Sequence, residues 1–180
     1  YEPHPGQVEV HKSRAPRRVL ACGARWGKST CAAMEAVAAL LAPCEESIGW
    51  LVGPNYGLTE RIFCRVEAAV TQHLEHRIVE LHSKGRVIVL RNLGGGLSEL
   101  RCKSADNPAS LLGEGLDWLI IDEAARLRDD TWSNYLSQRL LDKNGWALIL
   151  STPQGCNWFF KLYRGARRDP HYDCWSSPSW

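Results

Sequence analysis

The chain has 180 residues, 44% hydrophobic and 23% charged, with a formal net charge of +2 at pH 7. That length and apolar content suit one globular domain with a substantial core and argue against a disordered chain. The mild charge by itself declares neither a nucleic-acid nor a membrane surface, no apolar run reaches the length of a membrane span, and the N-terminus lacks a signal-peptide apolar core.

Residues 19–23 (VLACG) form a short apolar run that breaks into glycine and predict the first strand. Residues 28–42 are rich in Ala and Leu with no breaker before Pro43, which predicts a buried helix. A strand follows over 48–54, then a helix over about 58–76. Strands over 78–81, 86–91 and 97–103 are separated by Lys84 with Gly85 and by the glycines at 94–96. WLIID (118–122) and ALILST (147–152) are continuous apolar runs, as in strands of a parallel sheet buried on both faces. A helix over 129–142 is expected between them, a last helix over 158–168, and a Ser/Pro-rich tail over about 170–180 that reads as the start of a linker. Strands alternating with helices predict an α/β sandwich.

Seven cysteines, at 22, 31, 44, 64, 102, 156 and 174, are odd in number and contain no CxxC pair, so they read as reduced thiols of a cytosolic-type compartment. His73, His76 and His82 lack a convincing frame of Cys or carboxylate and read as a solvated face, not a metal site.

In a parallel α/β sheet, ligands gather beyond the carboxyl ends of the strands, and three chemically loaded segments are expected there. The first is GARWGKST, residues 23–30. Gly27 lets a backbone approach phosphate, Lys28 brings a cation to it, and Ser29 offers a hydroxyl to Mg²⁺. Cys22 stands where the usual GxxxxGK[ST] spacing has glycine, and Gly23 comes one place late. The second is Asp122 with Glu123, at the tip of an apolar strand: Asp122 suits the Mg²⁺ shell, and Glu123 suits a base that orients and deprotonates an attacking water. The third is Ser151 with Thr152, either partners of the terminal phosphate or simply the end of a strand before Pro153.

Together these segments resemble the ATPase domain of the large terminase subunit of tailed bacteriophages, over nearly the whole chain. PHPGQ (3–7) looks like that family's adenine-side glutamine segment, which implies that Gln7 meets the base. GARWGKST resembles its deviant Walker A loop, with Arg25 inside it, and implies nucleotide contacts from Gly23, Ala24, Arg25, Trp26, Gly27, Lys28, Ser29 and Thr30. VGPNYGLTERIF (52–63) is similar to the segment after the family's second strand. LLGEGLDWLIIDEAA (111–125) resembles its Walker B segment, and STPQGCNWFFKLYRGA (151–166) its coupling motif and following helix. The resemblance implies a P-loop NTPase of the ASCE, RecA-like type: a three-layer sandwich around a mainly parallel sheet. It further implies ATP as substrate with Mg²⁺, Glu123 as the catalytic carboxylate, and Ser151 and Thr152 as coupling residues. A homo-oligomeric ring, double-stranded DNA, a portal protein and a small terminase subunit are the implied partners, in the cytoplasm of an infected bacterium. On the same resemblance, residues 1–180 are a single ATPase module, and a nuclease domain is expected after it.

One position departs from the pattern. Relatives often carry an arginine just before the glycine of the LLG segment, where this chain has Leu112. Either Arg25 supplies the transition-state charge in cis, or Arg101, Arg126 or Arg128 acts in trans. Asn157 reads as a helix N-cap, and Lys161, Arg164, Arg167 and Arg168 as either a solvated face or a DNA-backbone contact. Rival readings are a helicase-type ATPase, a phosphotransferase, and a nucleotide-gated interaction module with weak turnover. The first needs a second RecA-like domain for which 180 residues leave no room.

Overall fold

The computed structural model describes residues 1–178. Among them the elements run α1 (Pro5–Lys12), β1 (Arg17–Cys22), α2 (Lys28–Leu41), β2 (Glu46–Gly53), α3 (Tyr56–His73), β3 (Ile78–His82), β4 (Val87–Arg91) and β5 (Leu97–Ser104). They continue with β6 (Trp118–Ile121), β7 (Trp146–Ser151), α4 (Trp158–Ala166) and β8 (Tyr172–Ser177). One sheet holds the strands in the order β3-β4-β5-β2-β6-β7-β1-β8. From β5 to β8 each neighbouring pair is parallel, while β3, β4 and β5 form an antiparallel meander at one edge.

Apolar residues fill both faces because both are covered. Leu20, Leu51, Ile120, Leu148 and Leu150 point to one face, where Ala32 and Ala36 of α2 and Ile62, Phe63 and Val66 of α3 pack on them. Their chain neighbours Val19, Val52, Leu119, Ile121 and Ile149 point to the other, under Leu136, Leu140, Trp158 and Phe159. Strand side chains alternate between faces, so a strand in the middle of three layers must be apolar at every position. Gly49 marks the tightest approach: a Cβ there would lie 1.9 Å from the Trp118 ring. Trp118 is almost wholly buried, stacks on Trp146 with centroids 6.0 Å apart, and donates its indole N–H to Ser47 Oγ at 3.2 Å.

Three elements differ from the sequence expectation. Residues 5–12, for which the sequence predicts no element, are a helix started by a capping box: His4 accepts from Gly6 N, and Gln7 Oε1 accepts from His4 N. The helix expected over 129–142 is a π-helical run, Thr131–Leu136, followed by a 3-10 turn, Ser137–Leu140. Ser133 and Ser137 donate their hydroxyls to the carbonyls of Asp130 and Ser133, a back-bonding habit that competes with regular α-helix. Most of the supposed linker is β8, which pairs in register with β1 from Arg17 with Tyr172 to Cys22 with Ser177. Without β8, β1 would present an unpaired ladder at the sheet edge; residues 179–180 of the expected tail lie outside the described residues.

Candidate nucleotide-binding site

The sheet order puts β7 between β1 and β6, so the three loaded segments leave the same end of three adjacent strands. Register fixes their levels: Ala21 lies beside Ser151, and Ile149 beside Ile121. With neighbouring strands about 4.8 Å apart, the tips of β1 and β6 are separated by about 10 Å.

The loop over residues 23–27 enters α2 through Gly27, at φ +87°, with no side chain capping the helix. The N–H groups of the first turn, carrying Ser29 and Thr30, are therefore open to an anion. At the other end of the loop the Gly23 N–H is already taken, donated to Ser177 O of β8 at 2.9 Å. Arg25 also has positive φ, +64°, a rare state for a non-glycine residue. Ala24 and Arg25 are exposed, whereas the Trp26 side chain is buried. Lys28 Nζ donates to Cys22 O at 2.8 Å, Gly23 O at 2.7 Å and Thr152 Oγ1 at 3.1 Å, tying the tip of β1 to that of β7. Burial draws the Lys28 amine below its ordinary pKa, and Glu123 and Asp122 act against that shift, so the lysine lies within the field of both carboxylates.

Asp122 is 5% exposed, and burial pushes its carboxyl up to about 6. The Glu123 N–H, donated to Asp122 Oδ1 at 2.9 Å, and the charge of Lys28 oppose that rise; the adjacent Glu123 carboxylate adds to it. An oxygen donor so short of positive charge fits a hard divalent cation such as Mg²⁺. Glu123 is held at φ +50°, again in the left-handed region, with Arg126 Nε 3.6 Å from its carboxylate.

Ser151 and Thr152 part company. Thr152 faces Lys28, whereas Ser151 is fully buried and its Oγ accepts from Ala125 N at 3.1 Å. The other side of that turn is held by Asn157, whose Nδ2 donates to Ala125 O at 3.0 Å while its Oδ1 caps α4 at Phe160 N. The cap was legible in the sequence; the bond to Ala125 was not, because it joins residues 32 apart.

Gln7 is buried behind the loop: its Nε2 donates to Gly27 O at 3.2 Å, and a Cβ on Gly27 would lie 2.7 Å from that nitrogen. His4, which no motif singled out, reaches the Trp26 carbonyl with its Nε2 at 2.9 Å and packs edge-on to the Trp26 ring. Beside the loop opens a cleft of ≈800 Å³ walled by His4, Pro5, Gly6, Cys22 and Trp26 on one side and by Cys174 to Ser177 of β8 on the other. Of the four arginines considered, Arg101 pairs with Glu99 and Glu114, Arg126 with Glu123, and Arg128 with Asp130. Arg25 has no ion pair among the described residues. Among the described residues no group of three or more His, Cys, Asp and Glu side chains is gathered as a metal site. All seven cysteines are free.

The family model for the N-terminal part of the terminase large subunit, T4likevirus-type, matches residues 19–174. The chain belongs to the terminase large subunit family. The large subunit of Thermus phage G20c is 39% identical over 179 residues, covering 91% of this chain and 36% of the relative. That of Escherichia phage T5 is 33% identical over 150 residues, covering 82% of this chain and 33% of the relative. The chain thus spans about a third of the terminases it matches. Its fold is that of the Thermus phage P74-26 large terminase ATPase domain, with a TM-score of 0.91, 33% identity, and coverage of 100% of this chain and 82% of the other. The large terminase of a thermophilic bacteriophage, solved in complex with ADP, shares the fold at 15% identity and a TM-score of 0.78, over 96% of this chain and 44% of its own. The P-loop, ASCE-type sandwich expected of a terminase is the fold observed.

Proposed function

We propose that this chain is the ATP-hydrolysing module of a bacteriophage DNA-packaging motor, using Mg²⁺-ATP to drive double-stranded DNA into a procapsid. The observation that carries this reading is the meeting of Lys28, Asp122, Glu123 and Thr152 at one end of the sheet, from segments up to 124 residues apart.

In this reading the open N–H groups of the loop and of the first turn of α2, up to Thr30, bind the β- and γ-phosphates together with the Lys28 amine. The nucleoside lies in the cleft by Trp26, and the expected contact of Gln7 with the base requires Gln7 to leave its bond to Gly27 O. Ser29 and Asp122 hold Mg²⁺, which when bound neutralises phosphate charge. Glu123 orients a water and accepts its proton as the water oxygen bonds to the γ-phosphorus and the bond to the β–γ bridging oxygen breaks, leaving ADP and phosphate. Arg25, free of any acid partner among the described residues, supplies positive charge to that transition state in cis. Thr152 senses the phosphate through Lys28, and Ser151 passes the change to Ala125, which is the coupling step. A homo-oligomeric ring, the portal protein and the small terminase subunit are the partners this reading requires, in the cytoplasm of the infected host.

Phosphate release measured with and without duplex DNA tests the reading. ATP-dependent release that duplex stimulates is expected, with ATP binding lost in Lys28→Ala by calorimetry. An unchanged dissociation constant in that variant, or transfer of the γ-phosphate to an acceptor other than water, sinks it.

A further inference from the structure

We infer that the exposed arginine notch at the far end of α4, formed by Arg164, Arg167 and Arg168, is a binding site for the phosphate backbone of duplex DNA. This rests on the packaging reading and locates its polymer contact. The three side chains alone line a concavity of ≈320 Å³. None of them has an ion pair or a side-chain hydrogen bond to another described residue. The nearest acids along the chain are turned elsewhere: Asp169 Oδ1 accepts from His171 N at 2.9 Å, and Asp173 Oδ2 from Ser13 Oγ at 2.6 Å.

Positive charge without an acid partner gathers in this segment, although the Arg164 guanidinium also lies over the Phe160 ring, 5.8 Å from its centroid. Residues 161–171 carry four cations (Lys161, Arg164, Arg167 and Arg168) and one acid (Asp169), a net +3; the whole chain is +2, so all other residues together sum to −1. The other basic run, residues 12–18, is largely spent inside the fold. Lys12 pairs with Glu9, Arg17 donates to the carbonyls of Pro16 and Gly145, and Arg18 is buried against Glu35. The helix dipole favours one cation at a C-terminus, but three guanidinium groups around one hollow repel each other unless an anion sits between them. Guanidinium forks match phosphate oxygens two at a time, which a lysine ammonium does not. A protein partner would be expected to meet an apolar centre with charges at its rim; this patch has its charges at the centre.

The notch is also wired to the nucleotide site. Asn157 and Trp158, at the first turn of α4, donate to Ala125 O and Leu127 O in the segment that follows Asp122 and Glu123. The nine residues of α4 then form a rod about 14 Å long that ends at the arginines. A shift of the acidic turn on hydrolysis therefore moves a phosphate grip at the opposite end of the helix.

Fluorescence anisotropy with a labelled 30-base-pair duplex, titrated at several salt concentrations, tests this on the whole chain. In R164Q/R167Q/R168Q, duplex affinity at low salt is expected to fall at least about tenfold, and the slope of log K against log salt to shrink by about 2–3. The charge-matched control R65Q/K84Q/R91Q, on α3 and the β3–β4 hairpin side, is expected to keep most of both. ATP turnover without DNA is expected to be unchanged in the triple variant, which separates this inference from the ATPase reading that Lys28→Ala tests. Equal losses in the two variants, wild-type binding by the notch variant, or a wild-type chain that binds no duplex at low salt would each overturn the proposal. So would a notch variant that keeps duplex binding and loses self-association by ultracentrifugation, since the occupant would then be protein.

Discussion

Glu123 combines two conditions at one residue: a carboxylate within the field of Lys28, and a backbone held at φ +50°. A left-handed non-glycine residue costs about 1–3 kcal/mol, and such strain persists where the surroundings fix it. Here Asp122 Oδ1 takes its N–H, and Arg126 flanks its side chain. Glu123→Gln preserves shape and backbone but removes the proton acceptor. ATP affinity is expected within a few-fold of wild type, with turnover reduced by about 10²–10⁴, as loss of a general base gives. Near-normal phosphate release in that variant would remove Glu123 from the mechanism. Gly27 makes a steric counterpart. At φ +87° and with Gln7 Nε2 in the way of a Cβ, Gly27→Ala must either move the loop or displace Gln7. Weaker ATP binding with retained fold is the expected result by calorimetry and circular dichroism.

At the scale of elements, α1 is fastened to the domain by a buried ion cluster. Glu35 on α2 takes His11 of α1 through Oε1 at 2.6 Å and Arg18 of β1 through Oε2 at 2.5 Å, with the Tyr1 hydroxyl and Cys31 Sγ at the other ring nitrogen, His11 Nε2. Burial pushes the Glu35 carboxyl up, but the hydrogen bond from His11 and the charge of Arg18 more than offset it, so its pKa lies below the ordinary value of 4.5. A depressed acid stabilises the fold above its unfolded pKa, and that contribution is lost as pH falls through the lowered folded value. Glu35→Gln leaves a buried cation uncompensated, and a loss of about 3 kcal/mol, or about 10 °C in Tm, is expected at pH 7. The gap between variant and wild type should narrow once the pH drops below about 4. A gap independent of pH would assign the loss to packing.

The same scale explains what could be read in advance. β6 and β7 were legible because strands covered on both faces are apolar at every position, and Lys28, Asp122 and Glu123 were legible because each lies close to the tip of such a strand. β8 was not, since an edge strand with a half-exposed pattern reads YDCWSS like any loop. α1 was hidden because its cap is a histidine, outside the usual N-cap set, and its anchoring comes from Glu35 and Gly27. From the sequence Ser151 and Thr152 are either partners of the terminal phosphate or the end of a strand, and only the fold separates them: alternation at the strand end turns one hydroxyl to Lys28 and the other to Ala125. Asn157→Asp isolates that second link: it keeps the cap but loses the donor to Ala125 O. Duplex affinity should stay as in wild type, while its dependence on ADP against a non-hydrolysable ATP analogue should disappear. Retained nucleotide dependence would sever Asn157 from the coupling path.

For the whole molecule the open question of chemistry is whether one copy holds a complete site. Leu112, 54% exposed, occupies the place where the resemblance implies an arginine, so that position offers no cation to a neighbour's nucleotide. Arg101 is committed to two glutamates, and Arg126 and Arg128 each face an acid at 3.6 Å. Arg25 lies inside the chain's own loop at an exposed position. Under the proposed function Arg25 would supply in cis the charge that a neighbour's arginine would otherwise bring, and a ring would serve movement of DNA and not cleavage of ATP. Specific ATPase activity should therefore stay flat over about two decades of protein concentration, because no assembly step limits the site. Arg25→Ala should lower turnover by about 10³–10⁵, the contribution of an arginine at a transferring phosphoryl group. Activity that climbs with concentration, together with an active Arg25→Ala, would instead place the arginine on a second copy and make Arg126, released from Glu123, the first residue to substitute.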